Sequence, residues 1–235
     1  MATNTASAAQ ANRKSKPAPA SKRAAKPAPA RPVKAELARE RFKPSSVTSD
    51  RQASFTVPTL STGDAKQIAA ALQDRLYSLI DLTMTLRHIH WNVVGPHFMS
   101  VHQMLDPQYE GVAEMADVVA ERIATLGASP SGVPGKLVEA RSWDDYSLDR
   151  SDSIAHLAAL DLVYTGVITD HRAAIDAVGG LDPMSEDILI GQTRELEKYQ
   201  WFVRSHLADW AGGMANAGEA DEVGAARAAM LRTAH

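Results

Sequence analysis

The 235-residue sequence contains no cysteine. That absence excludes disulfides, zinc–thiolate sites and thiol catalysis, and it fits a reducing compartment. No apolar run approaches the roughly 18 residues of a membrane span, and the first residues lack the apolar core of a secretory signal. The expectation is a cytoplasmic chain with no membrane partner. Aromatic residues are few, at 6%, but the hydrophobic fraction of 45% is ordinary for a globular protein. The length suffices for one domain of average or larger size plus tails.

Acidic residues are missing from one region altogether. Residues 1–34 hold Arg13, Lys14, Lys16, Lys22, Arg23, Lys26, Arg31 and Lys34, and no Asp or Glu. Of 25 basic residues in all, these eight lie in the first 34 positions, so the other 201 residues carry 17 against 28 acidic ones, a net of −11. An acidic body therefore follows a basic tail. Residues 1 to about 45 are also low in complexity, with KPAPA at Lys16–Ala20 and again at Lys26–Ala30. Repeated proline forbids a continuous helix, so the tail, bounded at about residue 55, reads as disordered or polyproline-like. Its eight cations suit contact with a phosphate backbone, whose affinity falls steeply with salt. A solubilising tail and a transit peptide are the alternatives, and the regular prolines spoil the amphipathic helix that a transit peptide needs.

The most informative stretch runs from Arg87 to Arg122. It holds His90, His102, Asp106, Asp117 and Glu121, the last four spaced 4, 11 and 4 residues apart. At about 100° per residue those four fall at roughly 0°, 40°, 60° and 100° around a helix. So many carboxylates and imidazoles on one face are costly unless a cation sits there. Asp106 and Asp117 are separated by about 16 Å along the axis, too far to share an ion within one helix. Against an antiparallel copy of itself, however, His102 faces Glu121 and Asp106 faces Asp117, since both pairs of numbers sum to 223. One two-fold axis satisfies both pairings, as a symmetric dimer requires. The spacing suggests a metal site built from two subunits and present twice per dimer. A solvated polar face is the plainer reading of Asp and Glu on a helix, and the two histidines with the mirror-consistent spacing stand against it.

Four long helices are expected. The first starts near Thr62, capped by Ser61 or Thr62, with Ile68, Leu72, Leu76, Leu79, Leu82 and Leu86 on its apolar stripe. His90 falls next in that series, whereas His88 points to another face. After a turn at Gly95-Pro96, the second helix runs from Phe98 to Leu126 and stops at Gly127. Residues 128–150 form a long crossover with a helical turn near Leu137–Arg141. The third helix spans Ser151–Val178, and the fourth runs from Asp182-Pro183 to about Trp210. The remainder, 211–235, reads as a mixed-charge tail. This is an all-α, ferritin-like four-helix bundle with one long crossover carrying a short helix, flanked by flexible tails. Glu-x-x-His, the usual ligand pattern of four-helix di-iron bundles, occurs nowhere in the chain.

The stretch HWNVVGPHFMSVHQMLD, with DVVAER beginning eleven residues after Asp106 and EKYQWFVRSHL at the end of the fourth helix, resembles the Dps family, the DNA-binding proteins from starved cells. The resemblance covers about residues 60–210. It implies that His90, His102 and Asp106 come from one subunit, that Asp117 and Glu121 come from its two-fold mate, and that Trp91 lies beside the site. It further implies a hollow homo-oligomer, a dodecamer built from dimers, that oxidises Fe(II) to Fe(III), preferentially with hydrogen peroxide, and stores ferric mineral. Asp182, Glu186 and Asp187 become candidates for an iron entry pore. Both tails are longer than in the shorter family members. DNA binding in the family varies with such tails, so a nucleoid-associated role rests on the basic N-terminus. A structural nucleoid protein with a vestigial or zinc-filled site is the alternative. A helical metallohydrolase is disfavoured, because no nucleophile or substrate motif accompanies the ligands.

Overall fold

The computed structural model describes residues 55–233. Helix α1, Thr62–Asn92, starts where Ser61 Oγ accepts the Asp64 N–H at 3.0 Å. Its buried residues recur every three or four positions from Ala65 to Ile89, which presents a continuous apolar stripe to the core. A two-residue strand, β1 (Val93–Val94), follows, and the chain reverses at Gly95, whose φ is 103°. A side chain is excluded there twice over, by the left-handed backbone and by the Asp152 carboxylate lying where a Cβ would go.

Helix α2, Phe98–Thr125, buries Val101, Leu105, Val112, Met115, Val119 and Ile123. Pro107 sits inside it and removes the N–H that the Gln103 carbonyl would otherwise receive. The helix ends at Gly127, φ 85°, where the Ala128 N–H donates back to the Ile123 carbonyl at 3.1 Å. The crossover is fixed to α1 at several points. Gln73 exchanges two hydrogen bonds with the main chain of Ser131, at 2.9 and 2.8 Å, and Trp143 Nε1 donates to Asp81 at 2.9 Å. Between them lies the short helix α3, Pro134–Ala140.

Strand β2, Ser151–Asp152, pairs in parallel with β1, Val93 opposite Ser151 and Val94 opposite Asp152. Helix α4, Ser153–Gly179, is capped by Asp152, and α5, Pro183–Leu207, by Asp182. α1 packs along α2 and α4 along α5, and the two pairs meet chiefly where α1 lies on α4. Leu72, Leu79, Leu105, Leu157, Tyr164, Leu189 and Leu196 are fully enclosed in the common core. The all-α, ferritin-like reading holds for these helices. No helix among the described residues is long and apolar enough to cross a membrane.

Three expectations need correction. The fourth long helix ends at Leu207, short of Trp210, because Ala215 N–H donates to the Leu207 carbonyl at 3.0 Å and folds the chain back. The third begins at Ser153, since Ser151 and Asp152 are used by β2. Most importantly, 222–233 is not a loose tail. It forms helix α6, Glu222–Thr233, which packs on α4 through Ala225, Ala226 and Ala229. Asn216 Nδ2 donates to Asp161 Oδ2 at 3.1 Å, and the Ser147 N–H donates to Glu222 Oε2 at 2.6 Å, so this end is tied to α4 and to the crossover.

Candidate metal centre

His90 occupies the last turn of α1, and His102 stands in the second turn of α2. The tight reversal between the helices brings the rings into a stack, 3.6 Å between centroids and 25° between planes. Their backbones hold each other's side chains. His90 Nδ1 lies 3.1 Å from the His102 carbonyl oxygen, and His102 Nδ1 lies 3.0 Å from the His90 carbonyl oxygen. A carbonyl only accepts, so each Nδ1 carries the proton and each Nε2 keeps its lone pair. That is the tautomer a metal ligand needs, set here by main-chain carbonyls.

Asp106 lies one turn after His102. Its Oδ1 is 3.4 Å from His90 Nδ1 and accepts from Arg87 Nη1 at 3.2 Å. The Arg87 guanidinium in turn stacks 3.9 Å above the Tyr109 ring. Arg87 therefore fixes one carboxylate oxygen and leaves the other available. It escaped notice in the sequence because its partner is 19 residues away across a turn; its place one turn before His90 was the available signal.

His90, His102 and Asp106 are thus neighbours, all half-buried. Asp117 and Glu121 are exposed further along α2, about 16 Å from Asp106 on a straight helix. Among the described residues no three His, Asp or Glu side chains of the single chain are arranged to hold one ion. Imidazole nitrogen with carboxylate oxygen, and no thiolate, suits Fe(II) with positions left open. Trp91 is 68% exposed, next in sequence to His90.

The pore candidates separate. Asp182 is buried and committed: it receives Arg122 Nη2 at 2.5 Å, Ser185 Oγ at 2.5 Å and the Ser185 N–H at 3.0 Å. Burial pushes its carboxyl upward, but the hydrogen bonds from Ser185 and Arg122 outweigh this and hold it below the usual range. Glu186 is half-buried and Asp187 exposed. The eight basic residues from Arg13 to Lys34 lie outside the described residues.

Two further histidines are fully buried. His156 Nδ1 lies 3.0 Å from the Tyr146 hydroxyl, and His171 Nδ1 faces the Val167 carbonyl at 3.0 Å. Burial lowers both to about 4.

Residues 69–212 match the family model described as Ferritin-like domain. The DNA protection during starvation protein of Mycolicibacterium smegmatis is 53% identical over 181 residues, covering 77% of this chain and 99% of that protein. Among solved structures, Mycobacterium smegmatis Dps superposes with a TM-score of 0.70 at 54% identity, over 71% of this chain and 95% of that one. DpsA14 from Streptomyces coelicolor gives 0.69 at 54% identity, over 70% and 98%. With its bundle, its histidine pair and relatives matched over nearly their whole length, the chain belongs to the Dps family of ferritin-like proteins.

Proposed function

We propose that this protein oxidises Fe(II), preferentially with hydrogen peroxide, stores the ferric product as mineral inside a hollow homo-oligomer, and protects DNA. The observation that carries the reading is the reciprocal histidine pair, which spends both Nδ1 atoms on main-chain carbonyls next to a carboxylate held by Arg87. In this reading His90, His102 and Asp106 of one subunit bind Fe(II) together with Asp117 and Glu121 of the two-fold mate. The 223 rule and the exposure of both acids on α2 support that sharing. The carboxylates favour the more highly charged Fe(III) product. Two Fe(II) ions give one electron each, so hydrogen peroxide is reduced to two hydroxide ions and no hydroxyl radical leaves.

Assembly as a dodecamer built from dimers, and a cytoplasmic, nucleoid-associated location, complete the proposal. DNA is held by the basic residues Arg13 to Lys34, and many tails on one particle bind by avidity even where each is weak. The relatives' name, DNA protection during starvation protein, supports the protective role.

The test loads the protein anaerobically with Fe(II), adds hydrogen peroxide, and follows ferric absorbance alongside a hydroxyl-radical spin trap. Wild type gives fast oxidation to a soluble particle with little radical, and the His102→Ala, Asp117→Ala variant loses this. Turnover no faster than free iron would overturn the reading. Deleting residues 1–34 abolishes DNA retardation and leaves iron oxidation intact; undiminished retardation removes the tail from the proposal.

A further inference from the structure

Away from the candidate iron site, a cavity of about 380 Å³ opens between α1, α4, the end of the crossover and the start of α6. That is the size of a small-molecule site. Its lining is of two kinds. Leu82 of α1 and Leu162, Val163 and Val167 of α4 give apolar surface, and Trp143 and Tyr146 of the crossover add aromatic surface. Beside them stand six carboxylates, Asp81, Asp144, Asp145, Asp170, Asp221 and Glu222, and among the described residues no Lys, Arg or His shares the lining. Two guanidinium groups outside the lining offset part of this charge. Arg141 pairs with Asp81 at 3.3 Å and with Asp145, and Arg75 lies 3.5 Å from Asp170. Six carboxylates less two guanidiniums leave a formal charge of −4, and Asp144 has no partner among the described residues.

Two residues of the lining are not accounted for by the fold. Thr85 is 7% exposed. Elsewhere in the helices Thr83, Thr125, Thr165, Thr169 and Thr193 each donate to the carbonyl four residues earlier, at 2.7 or 2.8 Å. Thr85 Oγ1 makes no such bond and has no partner among the described residues. It is not sealed off either, so the hydroxyl opens on the cavity that Thr85 lines. A largely buried hydroxyl left unpaired is costly. Gly166 lies inside α4 and lines the same cavity, and a Cβ added there meets nothing within 4 Å. Glycine in a helix interior is less favourable than alanine, and neither close packing nor a left-handed backbone requires it here. Its missing side chain leaves the cavity open.

We infer that this cavity binds an aliphatic polyamine, with ammonium groups on the carboxylates and on the Thr85 hydroxyl and methylenes on the apolar wall. The surplus of negative charge selects a cation. The spread of the carboxylates excludes a metal, since among the described residues no three are arranged to hold one ion. The ligand must then carry its charge at several separated points and bring apolar surface between them, because Leu82, Val163 and Val167 share the lining with the acids. A methylene chain bearing ammonium groups does both. An ammonium only donates, and the free Thr85 hydroxyl and the unpaired Asp144 carboxylate accept. A monoamine reaches one of these points and leaves the rest. The cavity shares no residue with the candidate iron site, so its filling stands or falls apart from the proposed iron chemistry.

The experiment is calorimetric titration of the full chain with spermidine, alongside butylamine and magnesium chloride at matched ionic strength. The expected result is saturable binding of one spermidine per chain, tighter than that of butylamine or magnesium. Thr85→Val keeps the shape of the side chain and removes its hydroxyl, and it weakens spermidine binding by about tenfold. Gly166→Leu fills the space and abolishes binding. Unsaturable uptake, magnesium binding as tight as that of spermidine, or wild-type affinity in the Gly166→Leu variant would put the polyamine on the acidic surface at large and overturn the inference. Unchanged affinity in Thr85→Val overturns it even where Gly166→Leu fails to fold.

Discussion

Two pairs of histidines show how one side chain serves opposite ends in the same bundle. His90 and His102 sit at the turn between α1 and α2, half-buried, with both Nδ1 atoms spent on main-chain carbonyls. His156 and His171 are 0% exposed, and burial lowers both to about 4. In three of the four rings Nδ1 meets a carbonyl in the same way. What differs is where the second nitrogen goes, toward an accessible carboxylate-bearing surface or into the core. The difference teaches that an imidazole on an apolar stripe becomes a ligand candidate through the reach of its free nitrogen, and that hydropathy around it is a poor guide.

The comparison can be broken most sharply at His102. His102→Ala is expected to slow iron oxidation by about 100-fold or more, beyond what loss of an outer-shell partner does, while stability shifts by only about 1 kcal/mol. Stopped-flow ferric absorbance and thermal melting measure the two sides, and an unslowed variant would place the chemistry elsewhere. The buried pair is expected to show itself in acid. Its folded pKa lies below the ordinary value of about 6.5, so its contribution is complete above pH 6.5 and is lost as pH falls toward 4. At about 1.4 kcal/mol per unit, each ring contributes about 3 kcal/mol across that window. Melting curves at pH 7 and pH 4.5 test this, and His171→Leu removes a share of the acid sensitivity.

Arg87→Gln is expected to cost about 10- to 100-fold in iron affinity, because Asp106 Oδ1 loses its anchor although every candidate ligand remains. Binding titration with Fe(II) under anaerobic conditions reads this directly. The smallest effect belongs to His206. Its Nδ1 also meets a carbonyl, that of Phe202 at 2.9 Å, but on an exposed helix face with no second ring beside it. His206→Ala should leave iron oxidation unchanged and stability within about 0.5 kcal/mol. A large loss there would show that the contact with a carbonyl, and not the placement of the ring, carries the distinction.

Much of this architecture was legible in the residues. Leu72, Leu76, Leu79 and Leu86 recur at helical spacing, and Gly127 and Asp182-Pro183 mark the ends of helices. Phe98 as the start of α2 followed from the Gly95-Pro96 turn. α6 was not legible, because its buried face is made of Ala225, Ala226 and Ala229, whose single methyl groups give almost no periodic signal. The β1–β2 pairing was equally hidden, since two residues have no alternation to read. At the site, spacing drew attention to five residues, and the folded chain draws three of them together. Arg87 and the backbone roles of the His90 and His102 carbonyls depend on the angle at which two helices meet, which the order of residues does not express.

The parallel pairing of Val93 with Ser151 has a consequence for the order of events during folding. The α1–α2 and α4–α5 hairpins are each made of contacts close in sequence, and they can form quickly and separately. β1 and β2 join segments 58 positions apart, so their meeting closes a long loop whose entropy must be overcome before the contact rewards it. Docking of the two hairpins is therefore expected to follow their separate formation. The same strand pair ends beside Gly95, at the reversal that stacks His90 on His102. The histidine pair itself lies within the first hairpin, 12 residues apart, so it can form before the two halves of the bundle meet, and the strand pair then locks the reversal that carries it.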